Sequence, residues 1–474
     1  MNNPQPTFFF YDVETSGLDP KRQRIMQFAG QRTTTGLEPI GPPMNVMVAL
    51  TEEILPEPMA ILVTGITPQK TLEEGYSESE FAKILHEQAF TPGTTVIGYN
   101  NVRFDDEFIR YTLWRNFHDP YEWAWAEGRS RWDLLDVIRM MRAIRPEGLE
   151  WPIDDKGNPS NRLELLTKSN SLSHESAHDA LSDVMALIDL TKLVKAKQPK
   201  LFDYMFRIRD KKSVARLITP DNPQPFVYAS GRYDKAYNHT TVAVTIGPGS
   251  KQGSVLVYDL RYDPEPFFNL SPAELQSSLF SRAEERRKKS LEKIPVKELS
   301  LNRCPAVAPI GVLDEGAQER IQLPLEKAED NAAKLLGKPD FIAALAAAYA
   351  LRPPFESSAD VDQQLYDAFV SDKDKPAMAA VRAAGSIELS DFRPDFYDQR
   401  LEALFTRYKA RNFPDSLNSS EREEWESYKT GRLQEDLPKF IKQLQNHSAA
   451  AEENGKKFLL EELQLWAESV VPAA

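Results

Sequence analysis

The chain has 474 residues, 41% of them apolar and 27% charged, and a formal net charge of −13. That composition predicts a soluble globular protein of about three domains. No run approaches the ~20 apolar residues of a membrane span. The first residues lack the basic and apolar regions of a secretion signal. The single cysteine, Cys304, excludes an internal disulfide and a cysteine-built metal site. A cytoplasmic location is the expectation. The acidic balance counts against a protein that grips nucleic acid through a general basic footprint.

Residues 7–195 read as strands interleaved with helices. TFFFYDVET is short, aromatic and β-branched, and predicts a buried strand ending at Ser16-Gly17. IMQFAGQR, NVMVAL and TVIGY (95–99) predict three more strands. FDDEFIRYTLWRNF, WDLLDVIRMMRAI (132–144) and HDALSDVMALIDLTKLVK (178–195) carry helical spacing. The pattern predicts an α/β unit, a central sheet covered by helices. From about 199 to 352 the strand-like segments VYAS, TTVAVTIG and SVLVYDL are separated by turn residues, and ELQSSLFSRAEERRKKSLEK follows as a polar helical stretch. Pro353-Pro354 punctuates the chain. Beyond it strand signals stop and amphipathic helices run to the end. The expected divisions are therefore 1–198, 199–352 and 353–474.

Three acidic motifs carry the chemistry. Asp12 and Glu14 are two residues apart at the end of the first strand, so both carboxylates leave the same face while Val13 faces the opposite layer. Two like charges side by side repel unless a cation lies between them. Next, Asn101-x-x-x-Asp105 follows the strand TVIGY, with Asp105 near a helix start; alone, it reads as a helix cap. Last, His178-x4-Asp183 opens the helix that closes the α/β unit, with Asp179 placed to cap it. A rival reading takes His174, His178 and Asp183 as a zinc site, but the stretch from His174 to His178 is not clearly helical.

In order, spacing and context the three motifs resemble the DEDDh exonuclease superfamily. The resemblance implies a ribonuclease-H-like fold, with Asp12, Glu14, Asp105 and Asp183 as ligands of two Mg²⁺ ions (Mn²⁺ substituting) and His178 as general base. Four carboxylates balance two divalent cations, and hard oxygen ligands suit Mg²⁺ or Mn²⁺. GYNNVRFDDEF, RNFHDPYEWAW, SRWDLLDV, RPEGLEWP and ARNFP (410–414) are similar to the bacterial exonuclease I family, and the similarity runs over nearly the whole chain. That family implies a nuclease domain, an SH3-like domain and an all-α C-terminal domain. The activity it implies is processive 3′→5′ removal of 5′-mononucleotides from single-stranded DNA, in repair and recombination. It further implies a monomer, contact with single-strand-binding protein, and two later domains that close a channel around the strand. On that reading, deleting 353–474 shortens each processive run.

Five of the seven tryptophans lie between 114 and 151. Trp114 and Phe117 read as core. In YEWAW, alternate residues Tyr121, Trp123 and Trp125 are expected close together, with Arg110, Arg115, Arg129 and Arg131 around them. By resemblance Glu14, Arg110, Tyr121, Trp125, Arg139 and Arg162 contact the strand, and Thr64 in Thr64-Gly65-Ile66-Thr67 lies beside its 3′ end. The charge objection weakens locally: residues 102–145 hold eight arginines and eight acids, and 207–216 hold five basic residues and one acid. RRKK at 286–289 reads as a solvated helix face. Two alternatives stay open: an exoribonuclease of the same superfamily, since only 2′-hydroxyl contacts separate the two sugars, and a catalytically inactive binding module.

Overall fold

The computed structural model describes residues 5–174, 179–352 and 356–472. They form two compact units, one of residues 1–130, 174–188 and 356–474, the other of 131–173 and 189–355.

The first unit is built on strands β1 (Thr7–Thr15), β2 (Ile25–Thr34), β3 (Met44–Met47) and β4 (Thr94–Gly98), in the order β3-β2-β1-β4. β1 is central, antiparallel to β2 and parallel to β4. Its period of two sorts the side chains. Phe9, Tyr11 and Val13 join Phe28, Phe81, Phe90 and Trp123 in one apolar core, and Asp12 and Glu14 leave by the opposite face. Gly98 ends β4 where a Cβ would meet the Asn101 side chain at 2.5 Å. Asn100 then takes φ 69°, a left-handed turn that asparagine tolerates better than most residues. That turn sends the chain into the helix Asp105–Arg115.

The helices after Glu356 belong to this same unit. Leu433, Phe440, Leu463 and Trp466 close over Met26, Leu50, Ile54 and Ile61. Tyr111, Trp114 and Phe117 pack among Leu401, Leu404, Phe405 and Tyr408. A buried ionic cluster joins the two stretches of sequence. Glu53 accepts from Arg24 at 3.1 Å and from Arg411 at 2.9 Å, and Asp362 is held by Arg411 and by the Tyr428 hydroxyl at 3.2 Å. No strand occurs among the described residues beyond 356, as the sequence predicts.

The chain leaves the first unit along β5 (Ser130–Asp133). The second unit contains an antiparallel sheet of β6 (Phe226–Ala229), β7 (Thr240–Pro248), β8 (Ser254–Asp259), β9 (Val296–Ser300) and β10 (Ala306–Pro309), in the order β10-β6-β7-β8-β9. The sequence signals β6, β7 and β8 but not β9 or β10. β9 reads VKELS, with two adjacent charges between its apolar residues, and β10 has only four residues and ends in proline. The RRKK stretch lies on the short helix Ala283–Lys288 and just past it, with Arg287, Lys288 and Lys289 exposed. No helix of the described residues is long and apolar enough to cross a membrane.

Candidate active site

β1 outruns β4. The parallel register ends at Phe10 opposite Ile97, so the backbone beyond it has no strand on that side. There the N–H of Val13 donates to Oδ1 of Asp105 at 3.3 Å. Asp105 is therefore not a helix cap: it is the first residue of its helix, and Phe104 precedes it at the cap position with no side-chain bond. The neighbouring Asp106, fully buried, accepts from the Tyr11 hydroxyl at 2.6 Å and from Nδ2 of Asn101 at 3.1 Å. These bonds tie the start of the helix to β1 and fix where Asp105 stands.

Asp183 arrives on the helix Ala180–Lys197, in its first turn. Asp179 caps that helix: its Oδ2 accepts from the N–H of Ser182 at 3.1 Å. Its other oxygen accepts from Nε2 of Gln27 at 3.2 Å, and Gln27 pairs across the sheet with Glu14. The cap thus registers the helix on the sheet beside the acidic strand end. The ligand oxygens of Asp12, Glu14 and Asp183 all lie within 4.8 Å of one another. His178 lies outside the described residues. His174 is described, and its Nε2 lies 2.5 Å from Oδ1 of Asp183.

The electrostatics follow from that crowding. Burial raises the Asp12 carboxyl well above its usual range, and Asp105, Glu14 and Asp183 push it further. Burial, then Asp183, Asp105 and Asp179, raises Glu14 to about 8. Three converging oxygen donors that repel one another are what a hard divalent cation relieves, so the residues present fit such an ion.

The remaining expected residues separate. In YEWAW the backbone forms 3₁₀ turns, Glu122–Ala124 and Ala126–Gly128. Trp123 turns into the core and stacks on Phe90 at 4.8 Å. Tyr121 packs against Phe369 at 5.5 Å, and Trp125 is left 66% exposed. The three rings therefore do not share one face as alternation suggests. Arg110 donates to Glu107 at 3.0 Å and to the Tyr366 hydroxyl at 3.1 Å, and lies over the Tyr121 ring. Arg115 is spent on buried Glu78. Arg129 donates to the Phe90 carbonyl and Arg131 to that of Asn302. In the second unit Arg139 pairs with Asp136 at 2.6 Å, and Arg162 is mostly exposed and paired with Glu164. Thr64 ends the helix Pro58–Thr64, where Gly65 turns left-handed at φ 68°, and its Oγ1 accepts from the N–H of Ile66 at 3.2 Å. Arg207, Lys211, Lys212 and Arg216 of the 207–216 stretch are exposed.

The sequence reading misses Asp179 as a charge on Glu14, the Tyr11–Asp106 bond, and the aromatic pair Tyr366 and Phe369, the latter 84% exposed. Only Tyr11 carried a usable signal: a hydroxyl inside an otherwise apolar buried strand needs a partner.

Three family descriptions match the chain: Exonuclease over residues 9–191, Exonuclease I SH3-like domain over 209–351 and Exonuclease I C-terminal domain over 359–470. The curated exodeoxyribonuclease I of Haemophilus influenzae is 39% identical over 455 residues, 96% of each chain. A crystal structure of Escherichia coli exonuclease I in complex with a dA16 oligonucleotide is similar with a TM-score of 0.94 at 38% identity, covering 98% of this chain and 100% of that one. A structure of SSB/exonuclease I in complex with the inhibitor CFAM is similar with a TM-score of 0.90 at 36% identity, covering 98% and 100%.

Proposed function

The chain belongs to the exonuclease I family, and from that premise we propose that it degrades single-stranded DNA processively from the 3′ end, releasing 5′-mononucleotides, in DNA repair and recombination. The observation that carries the reading is the meeting of Asp12, Glu14 and Asp183 at the open end of β1, in a chain similar to a member of that family over 98% of its length. The site uses divalent metal. The finer assignment is two Mg²⁺ ions held by Asp12, Glu14, Asp105 and Asp183, with Mn²⁺ as a substitute. The chemistry such ions supply when bound is stabilisation of the attacking and leaving oxygens of an in-line displacement.

The chain's own groups do the rest. β1 and the capped helix hold the carboxylates in place before substrate arrives, so little ordering is left for the reaction. His178, by the family pattern, takes the proton of the attacking water, a role suited to a group that titrates near neutral pH. Glu14, Arg110, Tyr121, Trp125, Arg139, Arg162 and Thr64 are the proposed strand contacts. Exposed Trp125 can stack on any base, which holds a strand without reading its sequence. The ranges of the three family matches support functional borders near 198 and 352. We assign the protein to the cytoplasm, as a monomer, with SSB as a partner.

Digestion of matched single-stranded DNA and RNA oligonucleotides tests the substrate. Faster loss of the DNA is expected. Faster hydrolysis of the RNA makes the protein an exoribonuclease of the same superfamily.

A further inference from the structure

Asp12 and Glu14 are fixed by the strand that carries them, but Asp183 is a helix side chain that must be turned toward them. Left to itself, its carboxylate would rotate away from two others that share its charge. A contact from His174 opposes that. The His174 side chain is 5% exposed, on a stretch without regular structure, and its Nε2 lies 2.5 Å from Oδ1 of Asp183. A hydrogen bond from an imidazole to a carboxylate is among the stronger kinds, and it fixes the rotation of the acceptor.

We propose that His174 is a positioning residue for metal binding: by donating Nε2–H to Asp183 it holds that carboxylate beside Asp12 and Glu14, ready for a divalent cation. Partners of this kind orient carboxylate and imidazole ligands in metal sites, and removing one weakens metal binding by about 10–100-fold. The inference rests on the reading of the three acids as a divalent-cation site.

The test is calorimetric titration of the full chain with Mn²⁺, for wild type, His174→Leu and His174→Gln. Leucine keeps the volume and loses the bond, whereas glutamine keeps a donor. We expect His174→Leu to bind Mn²⁺ about 10–100-fold more weakly, with glutamine recovering most of the loss. The unfolding temperature in chelator should be the same for all three, a readout that a merely structural histidine would move. Leucine binding Mn²⁺ as tightly as wild type, or glutamine binding as weakly as leucine, overturns the proposal. Absence of Mn²⁺ binding by wild type removes the cation reading itself, a different result.

Discussion

Glu14 keeps its proton up to about pH 8 because burial disfavours its charge and Asp183, Asp105 and Asp179 add to the cost. Its unfolded counterpart ionises near pH 4.3. Between those values the folded state binds the extra proton, so this carboxyl's contribution to stability is present below about pH 4.3 and is lost as pH rises to 8. A divalent cation competes with that proton. The rise in melting temperature on adding Mg²⁺ should therefore grow from pH 6 to pH 8, as thermal unfolding with and without chelator would reveal; a shift independent of pH would contradict it. Asp12→Asn removes a charge from the same centre. Cleavage should fall by at least about two orders of magnitude, because metal-assisted charge stabilisation is worth several kcal/mol. Trp125→Ala removes only a stacking surface and should weaken binding of an oligonucleotide by about 1–3 kcal/mol, leaving the Mg²⁺-dependent melting shift intact. Fluorescence anisotropy measures the first effect. At this scale the sequence was legible wherever a short period fixed direction, as for Asp12, Val13 and Glu14. Asp179 carried two roles at once, helix cap and neighbouring charge, and only the first has a local signature.

The buried ion cluster dominates at the scale of elements. Burial alone would raise the Glu53 carboxyl, but the guanidiniums of Arg411, Arg24 and Arg432 outweigh it and hold it down at about 2. Arg411, Arg407 and Arg24 keep Asp362 well below the usual carboxylate range. Breaking such a cluster leaves an uncompensated buried charge. Asp362→Ala should destabilise the protein by about 3–5 kcal/mol, read from urea unfolding. An effect near zero would mean that the remaining groups repair the gap. None of this was visible in the chain, since Glu53, Asp362 and Arg411 are far apart in sequence and each resembles an ordinary surface charge. Elements with apolar runs were legible: β1, β2 and β4 fall where the pattern places them. β5 reads SRWD, half of it charged, and carries no apolar run that would signal a strand. YEWAW alternates like a strand, yet the buried stacking of Trp123 on Phe90 wins and the backbone turns.

At the scale of the whole molecule, composition divides the chain into three consecutive blocks, but packing does not leave the last one detachable. Trp466 donates to the Ile54 carbonyl at 2.9 Å and Trp114 to that of Val361 at 3.0 Å. Deleting 353–474 would uncover two apolar cores. The expected result is an unfolded or aggregated chain, in place of the shorter processive runs that three separable domains would give, and circular dichroism of the truncated protein checks it. Element types and domain classes were legible because they follow from periodicity; the partnership of β-sheet and C-terminal helices was not, because it joins residues hundreds of positions apart. What the acidic centre does to a nucleic acid can be read directly. Time-resolved digestion of a 5′-labelled single-stranded DNA, with Mg²⁺ and with chelator, for wild type and Asp183→Ala, tests it most directly. A Mg²⁺-dependent ladder shortening from the 3′ end is expected in wild type and none in the variant. Full-length DNA persisting with well-folded wild type and Mg²⁺ would contradict it.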